Sequence, residues 1–161
     1  MKKITTTRPL PAAINTAWRI GIVTANFYKT ESDQLVEGAK QLLTHAGIPE
    51  ANITVYEVPG SIEVPLIGAA LAKEHAVDAL IGFGIIVEGE TAHARLLAEA
   101  ATRGLMDVQL TYRIPFAFEI LYVHTLAQAQ ERAIGDHNKG AEAAHAVLHS
   151  LALLENITRS A

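Results

Sequence analysis

The run Asp78-Ala79-Leu80-Ile81-Gly82-Phe83-Gly84-Ile85-Ile86-Val87 is apolar without a break after its first residue. A strand with one wet face alternates apolar and polar side chains, whereas an unbroken apolar run of this length fits a strand covered on both faces. Such strands sit at the centre of parallel sheets, with crossover helices packed above and below. Residues 18–25, 52–58 and 114–123 read as three further strands, short and rich in β-branched side chains. Helical patterns lie between them. Residues 30–47 place Leu35, Ala39, Leu42 and Leu43 on one face, with Gly47 at the stop position. Residues 61–76 form the next helix, with Ser61 as its N-cap and Pro65 tolerated near the first turn. A helix follows Thr91, a short one spans 125–133, and a long one runs over 139–155 with Ala141, Ala144, Leu148, Leu151 and Leu154 as its apolar stripe. Strand and helix thus alternate four times. The expected fold is α/β: a three-layer α/β/α sandwich around a four-stranded parallel sheet, flavodoxin-like, joined by right-handed crossovers.

Residues 1–16 include Thr6, Thr7, Pro9 and Pro11 and show no periodicity, so they are expected to form an N-terminal arm preceding one domain over 17–161. A chain of 161 residues suits one domain with a substantial core. Half of it is hydrophobic and only 19% is charged, which suggests surface buried against other copies. There is no cysteine, which removes disulfides, thiol catalysis and cysteine metal sites and suits a reducing cytoplasm. A net charge of −4 without a basic block argues against nucleic-acid binding. No apolar run has the length of a membrane span, and the first 18 residues lack the apolar segment of a signal peptide. The expectation is a soluble, cytoplasmic homo-oligomer.

In open parallel sheets, ligands bind beyond the carboxyl ends of the strands. The segment Val87-Glu88-Gly89-Glu90-Thr91-Ala92-His93 lies at such a place, where a strand gives way to a helix. A helix N-terminus leaves backbone N–H groups unpaired and carries a partial positive charge. Gly89 admits close backbone approach and Thr91 adds a hydroxyl, which together suit an anion, most naturally phosphate. His93, in the first turn, would serve as a proton acceptor. A plainer reading stays open: Thr91 as a simple N-cap and His93 as an exposed first-turn residue. Other motifs are absent or incomplete. The glycines of Gly82-Phe83-Gly84 lie within a strand and lack a third, no Walker A sequence occurs, and His145 with His149 makes at most half a metal site. For that histidine pair, a solvated or interface position is the simpler reading.

Six short motifs occur in the order found in lumazine synthases: TANFYKT, VPGSIEVP, GETAH, IPFAF, QERA and NKGAEAA. Over about residues 18–155 the chain resembles that family. The resemblance implies condensation of 5-amino-6-(D-ribitylamino)uracil with 3,4-dihydroxy-2-butanone 4-phosphate, releasing phosphate, with no metal or organic cofactor. It also implies a site shared between neighbours in a pentamer, which in some members builds into larger assemblies. Phe27 would stack on the pyrimidine. Ser61, Ile62 and Glu63 would follow the ribityl chain, and Ile86 and Val87 would offer backbone contacts. Gly89, Glu90 and Thr91 would hold the phosphate, with His93 moving protons. From the neighbouring subunit would come Phe118 over the rings, Arg132 to the phosphate and Lys139 to the pyrimidine edge.

Each residue also has an ordinary alternative: Phe27 and Phe118 as core aromatics, Glu63 as a first-turn acid, Arg132 and Lys139 as solvated charges. Three positions depart from the family pattern. Glu88 stands where many relatives have arginine, Ile62 where many have phenylalanine, and the Ala133-Ile134-Gly135-Asp136-His137 segment is about one residue short. That segment borders the contacts separating pentamers from shells, so a pentamer or a pair of pentamers is the expected assembly. Alternatives of other kinds are a relative turned to riboflavin-forming dismutation, and a non-catalytic flavin- or lumazine-binding or scaffold protein.

Overall fold

The computed structural model describes residues 8–161. Thr6 and Thr7, and the first part of the expected arm, lie outside the described residues. Four strands, β1 (Ile20–Ala25), β2 (Ile53–Val58), β3 (Ala79–Val87) and β4 (Phe116–Val123), form one sheet in the order β2-β1-β3-β4, and every pairing is parallel. Among the described residues, five α-helices connect and complete it: α1 (Lys29–His45), α2 (Val64–Lys73), α3 (His93–Tyr112), α4 (Leu126–Ala133) and α5 (Lys139–Ser160). The expected α/β class, four-stranded parallel sheet and flavodoxin-like layering are what the chain adopts.

The unbroken apolar run takes the place its composition demands. Every residue of β3 up to Ile86 is buried. Ile81, Phe83 and Ile85 point into a core shared with α1, α4 and α5, while Leu80 and Ile86 enter a second core beneath α2 and α3. Alternation along the strand thus feeds two apolar layers rather than a wet face and a dry one.

Boundaries shift where local chemistry intervenes. β1 starts at Ile20 rather than residue 18 because Trp18 closes a turn, its N–H bonding Asn15 O at 3.1 Å. β4 starts at Phe116 rather than residue 114, since Pro115 has no N–H for the ladder and Phe116 N instead bonds Gln109 Oε1 at 2.9 Å. The expected cap role of Ser61 is not observed: residues Ser61–Glu63 form a single 3-10 turn and α2 begins only at Val64. The Ser61 hydroxyl packs on β3 at Gly84, where any side chain would collide with it. Gly47 does stop its helix, with φ of 100°, while Gly47 N and Ile48 N bond back to Thr44 O and Leu43 O at 3.0 Å. α5 outruns its apolar stripe by a turn, and the exposed Arg159–Glu155 pair at 2.9 Å lies on that extension.

Residues 8–16 contain no helix or strand, yet Leu10 and Ile14 pack against the α1–α5 core. The histidine pair holds this segment. His145 and His149 meet with ring centroids 4.5 Å apart and planes tilted by 49°, and their Nε2 atoms bond Arg8 O at 2.8 Å and Pro9 O at 2.9 Å. Among the described residues, no group of three or more histidine, aspartate or glutamate side chains is arranged to hold a metal ion, and no helix is long and apolar enough to cross a membrane.

Candidate active site

The strand order places the topological switch between β1 and β3, since the chain leaves β1 toward β2 on one side and returns to β3 on the other. Pairing of β1 with β3 ends at Thr24 and Phe83, but β3 runs on to Val87 with only β4 beside it. Leu80 N and Glu88 N both donate toward the β4 side, to Pro115 O and Val123 O. By alternation, Ile85 and Val87 turn their peptide groups the other way, past the end of β1. A free backbone edge thus opens where a planar polar ring could dock.

That edge forms the floor of a cleft of about 500 Å³, a volume suited to a small-molecule site. Phe27, Tyr28, Ser61, Ile62, Glu63, Ile86, Val87 and His93 all line it. Phe27 is 65% exposed at the end of β1, which removes the core-aromatic reading. Gly60 sits between the Phe27 ring and the Glu63 carboxylate, since an added Cβ would lie 3.1 Å from Glu63 Oε2 and 3.6 Å from Phe27 Cε2. An aromatic face and a hydrogen-bond acceptor are thereby set side by side. Tyr28, which the sequence reading overlooked, holds a left-handed backbone with φ of 54° just before α1. A bulky residue in that region is strained, and strain of this kind gathers at functional sites. Only an isolated aromatic pair, Phe27-Tyr28, marked it in the sequence.

The phosphate corner adjoins the cleft. Gly89, Glu90 and Thr91 are exposed, and a Cβ at Gly89 would meet nothing within 4 Å. α3 begins at His93 with Ala92 before it and no side chain capping it from that position. Thr91 Oγ1 stands 3.4 Å from His93 N, a long bond that only loosely occupies the hydroxyl. First-turn amides and a hydroxyl therefore face open space at the positive end of a helix of 20 residues.

Gly89, Glu90 and Thr91 border the cleft without lining it, and three further expected residues belong to neither cleft nor corner. Phe118 is 41% exposed on β4, an edge strand. Arg132 sits in the last turn of α4, where Nη1 donates to Gln128 O at 2.7 Å. Lys139 opens α5 and pairs with Glu142 Oε2 at 2.5 Å. Beside that pair lies half-buried Glu119, whose pKa is pushed up to about 7 chiefly by burial, with Lys139 opposing the shift and Glu142 adding to it. None of the three lines the cleft of its own chain. A slightly larger cavity, about 540 Å³, lies between α1 and the α4–α5 connection, but no strand-end residue lines it.

A sequence model of the 6,7-dimethyl-8-ribityllumazine synthase family matches residues 17–155. The chain belongs to the lumazine synthase family. Proteins named 6,7-dimethyl-8-ribityllumazine synthase are similar to it over nearly their full lengths. The one from Stenotrophomonas maltophilia is 40% identical over 140 residues, covering 86% of this chain and 90% of its own. That of Xanthobacter autotrophicus is 41% identical over 142 residues, covering 84% of each, and that of Aquifex aeolicus is 37% identical over 140, covering 86% and 91%. The chain is thus an enzyme of riboflavin biosynthesis, with the lumazine-forming activity for which its family is named.

Proposed function

We propose that this lumazine synthase condenses 5-amino-6-(D-ribitylamino)uracil with 3,4-dihydroxy-2-butanone 4-phosphate in a site completed by a neighbouring copy of the same chain. The observation that carries the reading is the incomplete cleft. One chain gathers Phe27, Glu63, Val87 and His93 around a free strand edge, yet leaves Phe118, Arg132 and Lys139 outside the lining. A second copy would supply these three.

The pyrimidine would stack on Phe27 with its polar edge on the Val87 peptide. The ribityl hydroxyls would run past Ser61 and Ile62 to the Glu63 carboxylate. Phosphate would dock on the Gly89–Thr91 corner, with Glu90 acting through its backbone and Arg132 of the neighbour adding a fixed positive charge. Imine formation between the uracil amine and the ketone moves protons on nitrogen and oxygen and expels the ketone oxygen as a first water. Loss of phosphate then requires a proton to leave carbon, and ring closure expels water. His93, at the junction of cleft and corner, would carry these protons. Holding both substrates in register contributes a further part of the acceleration.

Purified protein given both substrates should release phosphate in step with lumazine absorbance; binding of both without product would refute the reading. His93→Ala is expected to lower kcat by about 10²-fold, near the low end for general acid–base groups, because solvent can relay some protons. The KM for the butanone phosphate should stay nearly constant, and unchanged kcat would remove His93 from the proton path.

The same reading requires self-association. Leu96, Met106 and Leu110 on α3 are at least 50% exposed, apolar area that a second copy would cover. A pentamer or a pair of pentamers is expected. Asp136, in the short connection to α5, adds negative charge where pentamers would otherwise meet in a shell. Native mass measurement should find five or ten chains; a monomer would contradict the shared site, and several tens of chains would contradict the loop argument.

A further inference from the structure

The corner assigned above to phosphate is tied to the adjacent strand by side chains to which the reaction gives no role. Glu88, the residue after β3, uses its N–H to reach Val123 O at 2.8 Å. Its carboxylate accepts from the Tyr122 hydroxyl at 3.0 Å through Oε1, and Oε2 meets Nδ1 of His124. These bonds, that from Tyr122 foremost, hold the Glu88 pKa below the usual carboxylate range. The carboxylate is therefore ionised at neutral pH, which makes His124 Nδ1–H the donor. The far end of the tether is itself fixed, because His124 N donates to Gln128 Oε1 at 2.9 Å. On charge alone, a carboxylate bordering an anion site is a disadvantage, and Arg95, in the first turn of α3, offsets it only from a distance. Within residues 88–92 the other side-chain hydrogen bond among the described residues is the long one from His93 N to Thr91 Oγ1. Without the Glu88 carboxylate the segment would keep the backbone bond to Val123 O but, among the described residues, no side-chain tie to β4.

We propose that Glu88 is a positioning residue for the phosphate corner, anchoring residues 88–92 to the end of β4 so that the Gly89–Thr91 amides stay open to the anion. The inference rests on the lumazine-forming reading of the site. Charge and anchoring make opposite predictions for its removal. If Glu88 acted only as a nearby negative charge, replacing it would tighten phosphate binding. If it anchors the corner, replacing it weakens phosphate binding despite the lost repulsion.

The test compares wild type with Glu88→Ala, Glu88→Gln and Tyr122→Phe, each first shown to assemble as wild type does. The KM of each substrate is measured, together with inhibition by inorganic phosphate and its direct binding by calorimetry. Loss of a hydrogen-bonded charged anchor should raise the butanone phosphate KM and the inorganic phosphate inhibition constant about 5- to 20-fold in Glu88→Ala. The uracil KM should stay within about twofold, as a loosened corner leaves the pyrimidine contacts intact. Glu88→Gln, which keeps an acceptor for Tyr122, should fall between wild type and alanine, and Tyr122→Phe should shift in the same direction by less. Tighter or unchanged phosphate binding in Glu88→Ala would overturn the proposal, as would an equal rise in both KM values. Should wild type form no lumazine, the functional reading fails by itself, while calorimetry with inorganic phosphate still decides the anchor.

Discussion

Arg132→Ala is expected to lower kcat/KM by about 10²–10³-fold, the loss typical when one preorganised donor to a developing anion is removed. Among the described residues the guanidinium has the Gln128 carbonyl as a hydrogen-bond partner and no carboxylate within ion-pair distance. The net charge of −4 makes a fixed cation at the phosphate all the more important. Because the phosphate is both bound and expelled, the butanone phosphate KM and kcat should both worsen, while the uracil KM moves little. Arg132→Lys should recover only part of the loss, since an ammonium cannot reproduce the two-pronged contact. Steady-state kinetics with each substrate varied in turn check this. Equal activity of Arg132→Ala and wild type would leave Arg132 a solvated surface charge.

The second large effect is structural. Gly140, the second residue of α5, lies where that helix crosses α1, and an added Cβ would stand 2.7 Å from the Leu35 carbonyl carbon and closer still to its oxygen. A backbone carbonyl inside α1 cannot swing aside as a side-chain tip can. Asn138 fixes the same junction: Nδ2 donates to Gln34 O at 2.8 Å and Ala133 O at 2.6 Å, and Oδ1 accepts from Gly140 N at 2.7 Å. Gly140→Ala must therefore push α5 away from α1 and break this set. A destabilisation of about 3 kcal/mol or more is expected, at the upper end for overpacking. Thermal unfolding should show a large drop in midpoint, and Lys139, next in the chain, should lose its position. Gly89→Ala is the control, since its Cβ would meet open space and its stability should match wild type.

What could be read from the sequence follows from how local each determinant is. The continuous apolar character of β3 and the single-sided stripes of α1 and α5 are patterns along the chain, and they led to the layered fold. Gly47 announces a helix end by its own chemistry. Ser61 misled, because the feature deciding its role is Gly84, 23 positions away, whose lack of a side chain admits the hydroxyl. Phe27 and Glu63 were legible through short motifs, but their meeting across Gly60 was not. The Glu88–Tyr122–His124 contact joins the ends of two strands, and only the β3–β4 register, which sets Val87 opposite Val123, brings them together. Glu88 therefore looked like a misplaced negative charge when it is a bonded one. Beyond the aromatic pair it forms with Phe27, nothing in the sequence marks the left-handed backbone of Tyr28, since tyrosine is an unfavourable choice for that conformation.

A site divided between subunits can be tested directly by mixing two inactive variants. On the proposed shared site, Glu63→Ala would damage the cleft of its own chain, whereas Arg132→Ala would damage the contribution to a neighbour. The two proteins would be unfolded together, reassembled, and shown by native mass measurement to share oligomers. In a ring with random assortment of equal amounts, about a quarter of the interfaces join an intact Glu63 to an intact Arg132. Lumazine formation should accordingly recover to about a quarter of the wild-type rate per chain. Mixed oligomers with no more activity than either parent would contradict the shared site.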